Sequence, residues 1–160
     1  MTFTIARQIA LLQAERIACG LEAGRELARI ALEAALYLCG LWSPTPGLRA
    51  EIEGLCGELR AIVPPEGRAT LTVAGRELLA AHGGQLPDVD RWYSAVELSA
   101  ARAAFLLVSD LGTAARGLAA DSGEGQTLTA KQRLKDLVTF SVSPAYFGAR
   151  RMLGLDRGEG

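Results

Sequence analysis

The sequence predicts an all-α fold: a single compact domain of about seven or eight helices packed around a buried central helix over residues 88–111. Three observations predict it. Apolar residues recur at three- and four-residue steps along most of the 160 residues, which is the period of one helical face. No stretch of any length alternates apolar and polar residues as a half-buried strand would. Glycine and proline punctuate the periodic runs, so each run has a stop.

Ile5, Ile9, Leu12 and Ile17 mark a first helix. Leu27, Ile30, Ala34 and Leu38 mark a second that ends near Gly40, and the two are either broken at Gly20 or joined. The segment Ser43-Pro44-Thr45-Pro46-Gly47 stops it, because proline lacks an amide donor and biases its predecessor away from helical angles. Leu48, Ile52, Leu55, Leu59 and Ile62 form the next face, closed by Pro64-Pro65. A fourth segment carries Leu71, Leu78 and Leu79, weakened by Thr70, Thr72 and Gly75 and stopped at Gly83-Gly84.

The central helix opens at Asp88, whose side chain can accept from free backbone N–H groups, with Pro87 before it. Val89, Trp92, Val96, Ala100, Ala103 and Leu107 form its apolar face. A polar stripe of Asp90, Ser94 and Glu97 gives way to Ala101 and Phe105, so the helix starts partly wet and ends in the core. Gly112 to Ala120 makes a short helix, Asp121 to Gln126 an exposed loop, and Thr129 caps a helix through Leu134, Leu137 and Val138. Ser143-Pro144 places a cap before proline at the first helical position of a last helix with Tyr146, Phe147 and Met152. The helical domain spans 1–155, and 156–160 is a flexible tail.

Such a chain buries roughly 70% of its unfolded surface without external help. Hydrophobic residues make up 49% and mean hydropathy is +0.18, high for a soluble monomer. Either some apolar surface is meant for another protein, or an alanine-rich helical chain scores this way regardless. Seventeen basic and eighteen acidic side chains are interspersed, for a net charge of −1, so no nucleic-acid footprint is visible. Fifteen arginines against two lysines is read as genomic composition rather than a phosphate site.

Cys19, Cys39 and Cys56 show no Cys-x-x-Cys spacing and have no histidine near them, which makes them small buried thiols of a reducing compartment. Arg7, Gln8, Gln13, Glu15 and Arg16 interrupt the N-terminal apolar patch too often for a signal peptide. The window from Ala28 to Trp42 carries Arg29 and Glu33 and is shorter than the ~20 residues that cross a bilayer. A cytoplasmic protein without a membrane span is expected.

The chemistry of catalysis is missing from the pattern. One histidine, His82, sits beside Gly83-Gly84 at a helix end, where its imidazole meets free carbonyls. The loop SGEGQT lacks the lysine and spacing of a phosphate-binding loop. Pairs such as Glu51 with Glu58, or Asp88 with Asp90, are explained by exposed helix and cap positions.

The run WYSAVELSAARA from Trp92 to Ala103, LLVSDL from Leu106 to Leu111, and RLKDLVTFSVSPAYFGARRMLGL from Arg133 to Leu155 resemble the C-terminal segment of certain large bacterial tetratricopeptide-repeat proteins. That segment looks like a relict of the helical end of an HtpX-type zinc metallopeptidase, in which a helix bears Glu-x-x-Ala-Asp downstream of H-E-x-x-H. The resemblance places Glu97 at the zinc-ligand glutamate and Ala100 at the alanine. Ala101 stands where the supporting Asp belongs, and the H-E-x-x-H helix is absent. A tetrahedral zinc site cannot be assembled from one carboxylate within one chain, so the resemblance implies a fold without its catalysis. No 34-residue repeat occurs in the chain itself.

The expected function is therefore a non-catalytic helical protein–protein interaction or scaffold module, with no catalytic, cofactor or metal residues and no cofactor. Its partner is another protein or further copies of itself, with no nucleic acid. Tyr146, Phe147, Arg150 and Arg151 on the last helix are the expected contact residues, since aromatic and arginine side chains are favoured at interface centres. The alternative is a degenerate zinc-metallopeptidase-like domain that acts as a regulator or in which Glu97 completes a metal site with ligands from another chain. An ordinary, partly exposed helix acid neutralised by an arginine also accounts for Glu97. A small-molecule pocket around Trp42, Trp92 and Tyr93 is a weaker third reading, against core aromatics.

Overall fold

The computed structural model describes residues 2–12, 24–121 and 127–155. Every regular element among them is helical, in the order α1 (Phe3–Leu11), α2 (Gly24–Leu38), a 3-10 turn (Pro46–Leu48), α3 (Arg49–Ile62), α4 (Pro65–Ala81), α5 (Val89–Val108), α6 (Leu111–Ala120), α7 (Ala130–Ser141) and α8 (Pro144–Met152). The all-α expectation holds. Ile17, Cys19, the break or join at Gly20, residues 122–126 of the SGEGQT loop and the 156–160 tail lie outside the described residues. Within the span expected to form one domain, the helices gather in two compact units, Arg25–Val89 and, from both ends of the chain, Met1–Gly24 with Asp90–Gly160.

The unit of residues 25–89 has its core in Ile30 and Ala34 of α2 against Ile52 and Cys56 of α3, flanked by Tyr37, Leu38, Leu48, Leu55 and Leu59. The expected faces of α2 and α3 are correct in phase but drift outward at their ends. Leu27 is 51% and Ile62 74% exposed, since 3.6 residues per turn carries a long stripe off a flat contact. Gly40 closes α2 with φ +67°, a left-handed angle that a side chain would resist. The proline-rich segment after it does more than stop a helix. Thr45 donates its amide and its hydroxyl to the two oxygens of Glu33, at 2.9 and 3.0 Å, and Glu33 is fully buried.

Pro65, expected as a stop, opens α4 at its first helical position, where a missing N–H is harmless. Gly75 is not a weak point in α4 but its contact point: a Cβ there would stand 2.8 Å from both Leu36 Cδ2 and Leu41 Cδ1. Thr70 and Thr72 return their hydroxyls to the carbonyls of Glu66 and Arg68.

The other unit is built on α5. Ala101, Ala104 and Phe105 pack with Phe3 and Ala6 of α1, Ala114 and Leu118 of α6, Leu137 of α7 and Tyr146 of α8. Val96 and Ala100 meet Leu11 separately. The buried stripe of α5 is Tyr93, Val96, Glu97, Ala100, Ala101, Ala104 and Phe105. It keeps Val96 and Ala100 of the expected stripe but is rotated by nearly one residue, up to about 100° of helix, so that Trp92 and Leu107 are 40% and 52% exposed. Three alanines with no accessible surface let neighbouring helices come close, which larger side chains at those places would prevent.

A similar inversion occurs on α1. Ile5, Ile9 and Leu12, expected as its core face, are 54%, 55% and 69% exposed, while Phe3, Ala6, Arg7 and Leu11 are buried. Phe3 is received at Gly117 of α6, where a Cβ would stand 2.8 Å from its ring. The central helix also ends three residues before the expected Leu111. Ser109 adopts φ +53°, and Asp110 caps α6 by accepting from the amides of Gly112 and Thr113, each at 3.0 Å.

Candidate functional site

Glu97 is 3% exposed and is not the partly exposed acid that its polar neighbours suggested. One oxygen accepts from the Thr127 amide at 3.3 Å and the other from the Thr127 hydroxyl at 3.1 Å. The Ser94 hydroxyl lies 2.7 Å from Thr127 Oγ1. This chain of hydroxyls ends in a carboxylate that accepts throughout, so it anchors Thr127 against α5 just before the cap of α7.

Beside it lies an ion cluster that no sequence motif announces. Arg7 of α1 and Arg133 of α7 both donate to Asp121 Oδ2, Arg133 at 3.3 Å. The arginine side chains are 6% and 0% exposed and the aspartate 25%. Burial pushes the Arg7 guanidinium below the usual arginine range, Asp121 and Glu97 oppose that shift, and Arg133 adds to it. Arginine nevertheless stays charged in proteins, so the two cations are held by the carboxylates around them. The cluster fastens α1, α7 and the end of α6 to one point. Arg7 falls one residue from Ala6 on the inner face, a placement that only the rotation of α1 reveals.

The four contact residues expected on α8 divide into two pairs. Tyr146 is buried, with ring centroids 5.4 Å from Phe105 and 5.5 Å from Phe140. Arg150 lies over the Tyr146 ring at 5.6 Å and donates to Leu106 O, Ser109 Oγ and Leu155 O. These two hold α8 to the α5–α6 turn. Phe147, at 50% exposure, and Arg151 face outward. An open cleft of about 650 Å³ lies beside Arg150, lined also by Leu106, Leu107, Val108, Ser109 and Leu155, but the guanidinium facing it is already engaged by protein oxygens.

The caps expected at Thr129 and Ser143 are present. Thr129 and Gln132 form a reciprocal capping box on α7, and Ser143 accepts from the Tyr146 amide at 3.2 Å. His82 Nδ1 lies 2.8 Å from Leu78 O at the end of α4. Cys56 is buried as expected, whereas Cys39 is only half-buried, and both are free thiols. Trp92, at 40% exposure, is not a core aromatic, whereas Tyr93 is. Among the described residues, no three His, Cys, Asp or Glu side chains gather as metal ligands, and no helix is long and apolar enough to cross a membrane.

No known protein family, no curated protein and no solved structure matches this chain.

Proposed function

We propose that the chain is a non-catalytic helical interaction module whose contact surface is the outer face of α1. One observation carries this reading: α1 is apolar on both sides. Its inner side is used by Phe3, Ala6 and Leu11, and its outer side still presents Ile5, Ile9 and Leu12 at half exposure or more. The exposed residues from Thr2 to Leu12 are Thr2, Thr4, Ile5, Gln8, Ile9 and Leu12, none of them charged, in a chain that is 22% charged. A large uncharged apolar stripe on a solvent-facing helix is unusual for an isolated protein, and its chemistry fits an uncharged apolar helix face on a partner protein. Phe147 and Arg151 supply a second contact element on α8, positioned by Tyr146 and Arg150.

The kinship with the C-terminal module of bacterial tetratricopeptide-repeat proteins belongs to the same proposal and rests on the residues quoted for it. A cytoplasmic setting is supported by the free thiols of Cys39 and Cys56. The metallopeptidase-like alternative has no geometric support of its own, because both Glu97 oxygens are engaged by Thr127.

A photoactivatable residue at Ile9, introduced into the chain in living cells, tests the reading. A discrete protein adduct that disappears when Ile5 is also changed to Lys is expected. Absence of any adduct, with the melting temperature of the variant unchanged, refutes it.

A further inference from the structure

We infer that the chain assembles with further copies of itself, head to tail, by laying α3 of one copy alongside α7 of the next. The inference deepens the interaction reading by naming a partner, and it rests on surfaces other than α1. The chain's two lysines, Lys131 and Lys135, are both exposed on α7. Val138 and Val142, 47% and 74% exposed, continue the same stripe, because offsets of four, seven and eleven residues fall on one side of a helix. Lys131 stands in the first turn of α7, where the helix dipole disfavours a cation. Neither it nor the exposed valines assist the isolated helix.

A matching stripe of opposite sign runs along α3. Glu51 and Glu58 are exposed and Ile62 is 74% exposed, at offsets of seven and eleven residues. Gly54 lies exposed at the edge of this stripe, and a Cβ there would meet nothing within 4 Å. Glycine at exposed helical positions weakens a helix, but it leaves room for a second backbone to come near.

Among the described residues, the side chains of Glu51, Glu58, Lys131 and Lys135 make no hydrogen bond or ion pair, whereas neighbouring Glu53 is taken by Arg49. Both stripes run from charged to apolar toward the C-terminal end. Aligned in parallel, Glu51 and Glu58 meet Lys131 and Lys135, and Ile62 meets Val138 and Val142. Each copy offers one stripe of each sign, so the contact is heterologous and propagates into a ring or an open array. Pairing of exposed charges makes it sensitive to salt.

The test uses the purified full chain, mixed from natural-abundance and nitrogen-15-labelled batches and treated with a carbodiimide that joins amines directly to carboxylates. Mass spectrometry is expected to find mixed-isotope links from Lys131 or Lys135 to Glu51 or Glu58. Sedimentation is expected to show that K131E/K135E and E51K/E58K each weaken self-association about tenfold, and that mixing the two variants restores it. Circular dichroism melts should shift only slightly, K131E/K135E upward and E51K/E58K downward as the helix dipoles require, because all four sites are exposed. A chain that remains monomeric, or associates without these links, or ignores the charge exchanges, overturns the inference. A monomer that still gives an adduct with a different protein at Ile9 overturns self-assembly and leaves the interaction module standing. Intact self-assembly with no adduct at Ile9 does the reverse for the α1 surface.

Discussion

Replacing Asp121 by alanine removes the carboxylate that Arg7 and Arg133 share. Breaking a buried ion pair by deleting one partner typically costs about 3–5 kcal/mol, because the remaining charge stays out of water. Here Asp121 keeps a quarter of its side chain exposed, so the lower end applies, about 3 kcal/mol. That is a large part of the ~5–15 kcal/mol that holds a domain together. With a urea slope of about 2 kcal/mol per molar, the unfolding midpoint falls by ~1.5 M.

The control has the same chemistry at the surface. Asp136 accepts twice from Arg102, at 2.8 and 2.5 Å, but Arg102 is 43% exposed. Asp136→Ala should then cost no more than about 1 kcal/mol. Donation to the Asp136 carboxylate holds the Arg102 guanidinium above its usual range, but solvent screening discounts that gain. The assay is urea unfolding followed by the fluorescence of Trp92, with Trp42→Phe in every variant so that a single tryptophan reports on the unit that contains both pairs. Equal shifts for the two aspartates would refute the claim that burial, rather than pairing, sets the energy of these bridges.

Four further outcomes follow from the packing and the caps. Tyr146→Ala should lose about 3 kcal/mol as a buried aromatic, against less than about 1 kcal/mol for half-exposed Phe147→Ala, read from the same urea curves. Gly117→Ala should destabilise by about 1–2 kcal/mol because its Cβ meets the rigid Phe3 ring. Gly75→Ala should be near neutral in thermal melts, since flexible leucine ends give way and helix propensity gains about 1 kcal/mol. Finally, the Thr113 hydroxyl, then the Thr113 and Gly112 amides, hold the Asp110 carboxyl below its ordinary value, with a small further lowering from Arg116. A lowered folded-state value means that its stabilisation is present above the ordinary carboxylate range and is lost as pH falls through the folded value. Asp110→Asn should therefore lower the melting temperature at neutral pH, with the difference from the parent chain shrinking as pH falls through the folded value, so that the acid limb of the pH–melting curve flattens. An unaltered acid limb would show that the cap does not act through its charge.

The placement of helices was largely legible because periodicity, caps and stops are local properties. Thr129 and Ser143 cap the helices that they were expected to cap, since a hydroxyl accepting from an amide three residues on requires nothing from the rest of the fold. The break at Ser109-Asp110 was missed although its signal was present. An aspartate directly before Leu111-Gly112-Thr113 can cap a helix as Asp88 can, but the apolar run around it favours one continuous helix.

The direction each helix faces was decided only in three dimensions. On α1 and α5 two stripes competed, and the more hydrophobic one lost in both cases. Alanines at 100, 101 and 104 and the glycine at 117 allow close approach, and close packing favours the narrower side even when Trp92, Ile5 and Ile9 are left facing water. The buried charges follow from that rotation. Arg7, Glu97 and Arg133 read as surface residues by type, and they enter the interior because Asp121 and Thr127 arrive from distant parts of the chain to meet them. Local hydrogen bonding and period determine what forms a helix, whereas shape and long-range pairing determine which side of it is inside, and no single segment contains that information.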